Sequence, residues 1–333
     1  MRRLFFCKAS KKNSPRVISL VLQVILLLIL FVICDHLVLW ATLISVFLLM
    51  ILYPLLSGVF WRCHRATIYD NDIELQIVDE TDHLFEWKYS KRMLIDGRGG
   101  IYSAISFNCR HQPCLKTVQE ICDLWFTPLA PPRALILGCA GCAIPRYIIM
   151  TFEKTIVTGV ELSPELIRVA RKYFLDGIPP ERFNLLNDDA ENFIKNYNEK
   201  CKFSIVFSDL FCGNHLVEDI YTESFFAALS KIIDKGGLLI INAGGISPER
   251  MDMFYYLAAA YFDWCTIFSQ SNQSNHLYLV CSPAPNSAMI DAVLRTNDKV
   301  GFTAICSRRK QNISTCGVKW KLAQNELAEI SNK

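Results

Sequence analysis

The zinc-binding spacings of cysteine and histidine are missing from this 333-residue chain, although it carries 14 cysteines. That leaves no resident metal to expect. Charge of one sign is also missing. Thirty-five Lys and Arg against 32 Asp and Glu give a net charge of only +3, which offers no bulk attraction for nucleic acid. The basic cluster Arg308, Arg309 and Lys310 reads as solvated surface. Tandem repeats and low-complexity tracts are absent, so solenoids and disordered linkers drop out. The cysteines are scattered without the spacing of a disulfide scaffold, which suits a reducing compartment.

Apolar residues, by contrast, are abundant at 52%, and the excess lies near the N-terminus. Residues 17–34 and 37–61 are two apolar runs separated only by Asp35 and His36. Each is close to the ~20 residues that span a bilayer as a helix. Six basic residues precede the first run, Arg62 and Arg65 follow the second, and none lies between them. The positive-inside rule then predicts a helical hairpin anchor with both ends in the cytoplasm. Pro54 is placed to kink its second helix. The localisation expected is a membrane, the inner or plasma membrane in a bacterium, with the soluble part cytoplasmic.

Beyond the hairpin, residues 66–112 read as a small β-rich domain. Candidate strands are TIYD, IELQIVDE, HLFEWKY and RMLIDG, punctuated by Asp70-Asn71-Asp72 and Asp96-Gly97. Residues 112–126 have helical spacing through Leu115, Val118, Ile121 and Leu124. Residues 113–300 alternate. Strands are predicted at 134–138, 155–161, 183–186, 203–210 and 237–242. Helices are predicted at 144–152, 164–174, 190–197, 222–233 and 248–262. A closing antiparallel pair follows at 264–269 and 276–281. Ser163-Pro164-Glu165 supplies an N-cap, an N1 proline and an early acid. The fold class implied is α/β, a Rossmann-like doubly wound sheet with an antiparallel edge, behind a small β domain and a helical hairpin. Residues 301–333 read as a C-terminal extension, with a closing helix at 319–330 as one option.

In an open parallel sheet, ligands sit beyond the carboxyl ends of the strands. Gly138 ends the first strand of the unit RALILGCAGCAIPRYIIMTFEKTIVTGVE, and Glu161 ends the second. An acid there can accept hydrogen bonds from both ribose hydroxyls. Asp188 and Asp189 follow the third strand, suited either to an adenine amino group or to capping the next helix. Asp209 lies near the end of the fourth, facing the reacting part of a ligand or solvent. The loop Gly138-Cys139-Ala140-Gly141-Cys142-Ala143 lacks the later glycines of a dinucleotide fingerprint. Its Cys139 and Cys142 form a CxxC, read either as a redox pair or as two small residues in a tight turn. Arg146, just beyond, reads as a surface helix residue or as a partner for a donor carboxylate.

From about Ile73 to Cys281 the chain resembles the spermidine/spermine synthase family, the polyamine aminopropyltransferases. The resemblance is carried by MLIDG (Met93–Gly97), ILGCAGCAIPR, VELSPELIRVARKYF, NDDAENF and FSDLFCGNHLVEDIYTESFF. It implies a Rossmann-like doubly wound core of the AdoMet-dependent transferase type behind a β domain, and no permanently bound cofactor. The co-substrate implied is decarboxylated S-adenosylmethionine, or S-adenosylmethionine in a methyltransferase. Glu161 would bind the ribose and Asp189 the adenine. Asp209 would match the first acid of the D-x-x-D active-site motif and deprotonate or orient a small-molecule amine acceptor. A homodimer through the β domain is a further implication. The chain departs from the family pattern at several places. The second acid of D-x-x-D falls at Cys212, the loop acid at Gly141, the Tyr-Gln pair near Leu115 and Lys116, and the glutamine after the DG turn near Gly100 or Tyr102. Glu218, Asp219 and Glu223 are the acids left to rebuild a cationic site. Three functions stay open: an aminopropyl or related alkyl transferase, a methyltransferase, and a membrane-tethered nucleoside-binding protein without turnover.

Overall fold

The computed structural model describes residues 22–29, 36–57, 62–70, 72–81, 89–107, 116–126, 129–198, 200–213, 215–270, 273–285, 287–299 and 302–309. Residues 22–29 (α1) and His36–Ser57 (α2) are helical. α2 runs 22 residues without a charged side chain, which its uninterrupted apolar sequence favours. Its described side chains, on residues 40–50, are mostly exposed, with Trp40 at 67% and Phe47 at 64%. Over the described residues no helix is long and apolar enough to cross a membrane, so the expected spanning hairpin is not borne out there. Most of the first apolar run lies outside the described residues.

Four antiparallel strands follow in the order of the chain: β1 (Arg62–Asp70), β2 (Ile73–Glu80), β3 (Lys91–Asp96) and β4 (Ile101–Ser106). β4 was not among the expected strands, because Ile101-Tyr102-Ser103-Ala104 alternates weakly and follows a glycine-rich turn. The expected strand HLFEWKY lies almost wholly outside the described residues. Asp79 on β2 is 1% exposed and sits between Arg65 and Arg92, at 2.6 Å from each. Arg92 also donates to the Tyr173 carbonyl at 2.9 Å, tying this sheet to the larger domain.

The larger domain opens with α3 (Lys116–Ile121), which widens into a π turn at Cys122–Phe126. It then alternates through β5 (Arg133–Leu137), α4 (Ala143–Thr151), β6 (Ile156–Glu161), α5 (Pro164–Val169, with a π turn Ala170–Phe174), β7 (Phe183–Asn187), α6 (Ala190–Asn196) and β8 (Phe203–Ser208). A two-residue hairpin, β9 (Phe211–Cys212) with β10 (His215–Leu216), precedes α7 (Glu223–Ile232), β11 (Ile233–Asn242) and α8 (Pro248–Ala259). β12 (Trp264–Gln270), β13 (Gln273–Ser282), α9 (Ser287–Lys299) and β14 (Phe302–Arg309) complete it.

The eight-stranded sheet has the order β14-β12-β13-β11-β8-β5-β6-β7. β11, β8, β5, β6 and β7 are parallel neighbours, and β13, β12 and β14 add an antiparallel flank. β14 falls in the segment expected as a separate extension, yet it pairs with β12 from Trp264–Arg309 to Gln270–Phe302. The expected helix at 319–330 lies outside the described residues.

Apolar residues on both sides of every central strand explain why the sheet is covered twice. One face packs Ile136, Ile205, Phe207 and Ile240 against α3, α4 and α9. The other packs Leu135, Val206, Leu239 and Ile241 against α6, α7 and α8. Helix α5 turns Leu166, Val169 and Phe174 toward Ile68, Leu75, Ile77 and Leu94 of the small sheet, which is thereby docked beside the carboxyl end of β6.

Candidate nucleoside and acceptor site

The reversal of strand order between β5 and β8 places the crevice of this sheet at their carboxyl ends. Gly138 leaves β5 with φ +80°, and a Cβ there would stand 2.4 Å from the Asp209 carbonyl oxygen. Asp209 N–H donates to the Leu137 carbonyl at 2.8 Å, so the ends of β5 and β8 are in direct register. Only glycine permits that approach. The later glycines are replaced by strain: Ala140 (φ +44°) and Cys142 (φ +63°) hold left-handed positions. Each costs about 1 kcal/mol that glycine would not pay.

Glu161 fixes this loop. Buried at the end of β6, its Oε2 accepts from Cys139 N–H at 2.9 Å and Ala140 N–H at 2.8 Å, and its Oε1 accepts from Ser163 N–H at 3.0 Å. A carboxylate has about four lone-pair sites. Three are engaged by main chain, so two ribose hydroxyls bind only if at least one amide lets go. Ser163 also caps α5 through Leu166 N–H and donates its hydroxyl to Asp70 Oδ1 at 2.5 Å. The end of β1 is thus one side chain removed from Glu161.

Ser103 of β4 meets the same loop from the other side. Its Oγ accepts from Ala143 N–H at 3.1 Å, and a Cβ on Gly141 would stand 2.6 Å from Ser103 Cβ. The place of the family's loop acid is therefore filled by the small sheet. Cys139 and Cys142 are buried free thiols in contact. The hydrogen bond to Cys142 and burial push Cys139 well above the ordinary thiol range, which disfavours the thiolate that redox exchange needs. The two behave as small packing residues.

Asp188 and Asp189 begin α6. Asp189 is exposed and caps the helix, accepting Asn192 N–H at 2.9 Å. Asp188 Oδ1 accepts from Asp189 N–H at 2.8 Å and from Asn192 Nδ2 at 2.7 Å, while its own N–H donates to the Glu161 carbonyl. Both carboxylates stand beside β6 with one oxygen already committed.

Asp209 follows β8. It is half-buried as a residue, yet its surroundings are dry enough that burial raises its carboxyl from 3.8 to about 6, against a lowering by the Asn242 hydrogen bond. Asn242 Nδ2 donates to Asp209 Oδ1 at 2.9 Å. Asn242 was not singled out by its sequence, although a polar residue closing the apolar run GGLLII carries the same signal as Glu161.

Other candidates separate from this array. Arg146, expected at the surface, is buried, and its Nη1 donates to the carbonyls of Phe174 at 2.9 Å and Asp176 at 2.7 Å. It holds the end of the α5 π turn, and the reason is packing: α4 lies under that turn. Glu218 and Asp219 pair with Arg250 of α8 at 2.6 and 3.3 Å, and Glu223 accepts the Tyr261 hydroxyl at 2.7 Å. All three are turned toward α8 rather than Asp209. Cys212 is exposed on the β9–β10 hairpin, which lies against Tyr102 of β4. The Tyr102 hydroxyl is buried without a hydrogen-bond partner among the described residues, and burial raises its pKa, with Asp96, Cys212 and Asp70 adding to the shift. A lysine-edged concavity of about 620 Å³, at Lys200, Lys202 and Lys235, opens at the amino ends of β8 and β11. It is at the wrong edge of the sheet for this chemistry. Among the described residues no cluster of His, Cys, Asp and Glu is arranged to hold a metal ion.

The parallel sheet covered by helices on both faces, with its antiparallel flank, is a Rossmann-like α/β fold of the methyltransferase type. Residues 130–293 match the family profile of the Spermine/spermidine synthase domain. The polyamine aminopropyltransferase of Neisseria meningitidis serogroup B is 21% identical over 178 residues, covering 53% of this chain and 66% of that protein. The polyamine aminopropyltransferase of Thermoplasma volcanium is 25% identical over 131 residues, covering 38% and 46%. The chain thus spans no more than about two thirds of the length of these curated relatives. Among solved structures, a probable spermidine synthase from Corynebacterium glutamicum superposes with a TM-score of 0.60 at 18% identity, covering 78% of this chain and 93% of that one. That likeness establishes the fold; the relatives that align in sequence are named transferases.

Proposed function

We propose that this chain is a spermidine synthase-like transferase that moves an aminopropyl or related alkyl group from a decarboxylated S-adenosylmethionine-type donor to an amine. The observation that carries the reading is the alignment of Gly138, Glu161 and Asp209 at one edge of the sheet, with Asn242 on Asp209. Glu161 takes the ribose hydroxyls, and Asp188 and Asp189 lie where adenine would extend. Asp209 holds the acceptor amine and takes up its proton as nitrogen attacks the carbon beside the sulfonium. The C–S bond breaks, its electron pair stays on sulfur, and a neutral thioether leaves without acid assistance. A carboxyl titrating near 6 is ionised at neutral pH and is a better base than an unshifted one. Holding donor and amine in line supplies much of the rate.

A donor that lacks its own carboxylate is favoured by Arg146, the cation nearest the loop in sequence, whose guanidinium is committed to the Phe174 and Asp176 carbonyls. Placement at a membrane through residues 17–61, with the catalytic part cytoplasmic, is supported by the uncharged 22-residue α2, its exposed apolar side chains and the basic flanks. Association through the β domain is carried over from the resemblance alone.

Calorimetry on the full-length protein with methylthioadenosine, S-adenosylhomocysteine and S-adenosylmethionine tests the nucleoside site. Methylthioadenosine should bind, and binding of none of the three would sink the proposal. For the anchor, a C-terminal reporter facing away from the cytoplasm would refute the stated orientation.

A further inference from the structure

Asn242 lies at the end of β11, beside Asp209 on one side and opposite Tyr278 of β13 on the other. Its amide is fixed at both ends. The Oδ1 accepts from Gly244 N–H at 3.3 Å, and this assigns Nδ2 to the Asp209 side, where it donates to Oδ1 at 2.9 Å. The donor to Asp209 is therefore held by the main-chain turn that follows β11, where Gly245 takes φ +79°. On the same carboxylate, Oδ2 has no hydrogen-bond partner among the described residues, and it is not sealed from solvent.

We propose that Asn242 is a positioning residue for the reacting end of the site. It clamps one oxygen of Asp209 and presents the other, Oδ2, to the acceptor amine, whose proton it takes up as the nitrogen attacks. The purpose of the clamp rests on the reading of Asp209 as the acceptor-side carboxylate; the clamp itself does not.

Two physical consequences follow. A carboxylate free to rotate would spread its lone pairs over many directions, whereas one held at Oδ1 offers Oδ2 in a single orientation, as an in-line displacement requires. Asn242 also supplies the one side-chain hydrogen bond that favours the ionised form against burial. Among the described residues, the other titratable groups facing this carboxylate are Cys139 from the loop after β5, Tyr221 ahead of α7 and Tyr278 from β13, with Glu120 of α3 beyond Tyr278. None of these four is a basic residue, so none can take over the role of Asn242.

The test is a titration of full-length protein carrying ¹³C-carboxyl aspartate, with the Asp209 signal assigned by its loss in Asp209→Asn. In Asn242→Leu the Asp209 midpoint should rise by about one pH unit, the scale of a lost hydrogen bond to a charged group. Asn242→Gln, which keeps a donor, should recover part of that rise. A midpoint unchanged within roughly 0.3 unit in a folded Leu variant would overturn the proposal. Should the Leu variant not fold, wild-type protein decides. The Asn242 side-chain amide signals should titrate with the Asp209 midpoint and stop doing so in Asp209→Asn, and amides indifferent to that carboxyl would overturn it equally. Methylthioadenosine binding should survive in Asn242→Leu. Its loss in a folded variant that binds no nucleoside, beside a wild type that does, would assign Asn242 a general structural role instead. None of the titration outcomes depends on turnover, so a chain that proves inactive leaves them interpretable.

Discussion

Asp209→Asn should make the protein more stable at neutral pH, and the reason is the cost of ionising Asp209 in the folded state. Burial raises its carboxyl from 3.8 to about 6. A raised acid holds its proton more tightly when folded than when unfolded. Stability is then greatest below the unfolded value and falls as pH rises through the window from 3.8 to about 6. A shift of roughly two units, at ~1.4 kcal/mol each, amounts to about 3 kcal/mol once the group is fully ionised. Asparagine has nearly the same shape, carries no charge and can still accept from Asn242 Nδ2, so it escapes that cost without opening a cavity. Urea melts of wild type and Asp209→Asn at about pH 4.5 and about pH 7.5 provide the assay. The variant should lead by ~1 kcal/mol at the lower pH and by ~3 kcal/mol at the higher. Equal gaps at both pH values, or a variant that is less stable throughout, would show that the carboxyl is not desolvated and remove the basis for a base titrating near 6. Gaining stability while losing the reacting carboxylate is the trade expected of a functional site.

Three other outcomes follow from the geometry. Glu161→Gln should weaken methylthioadenosine binding about tenfold or more, because charge-assisted bonds to the ribose become neutral ones; calorimetry checks this, and unchanged affinity would refute the ribose assignment. Placing an acid in the loop as Gly141→Asp should cost ~1–3 kcal/mol in a thermal or urea melt, since its Cβ would meet Ser103 Cβ at 2.6 Å. Adding Ser103→Gly should return much of that loss, and additive effects in the double variant would contradict the contact. Arg92→Met should destabilise by ~2 kcal/mol, leaving Asp79 buried with Arg65 alone and freeing the Tyr173 carbonyl; a neutral effect would show that the Asp79 ion pair and the hydrogen bond across to Tyr173 contribute nothing.

The α/β architecture was legible because its signals are local. Apolar strands of five to ten residues alternate with helices that announce their starts, as at Ser163-Pro164, and the parallel order follows from connections long enough to cross over. Glu161 was legible as a candidate for the same reason: it ends an apolar strand, and an acid there is costly unless it has partners. The capping alternative for Asp189 was equally legible, and α6 uses it.

What the amino-acid order could not supply were the relations between segments distant in the chain. Ser103 against Gly141, Asp70 against Ser163, Arg146 against the carbonyls of Phe174 and Asp176, and Asn242 against Asp209 join residues from 28 to 93 positions apart. Periodicity carries no information about such pairs; they exist because the small sheet docks on α5 and the strand ends converge at one edge. Sequence alone determined the sheet, its glycine turn and the acids at its strand ends, because strand and turn preferences are set by each residue and its near neighbours. Tertiary packing decided which of those acids remain available, that the place of the loop acid is filled by Ser103, and that Asp209 has a fixed partner, because burial and hydrogen bonding are properties of the assembled chain.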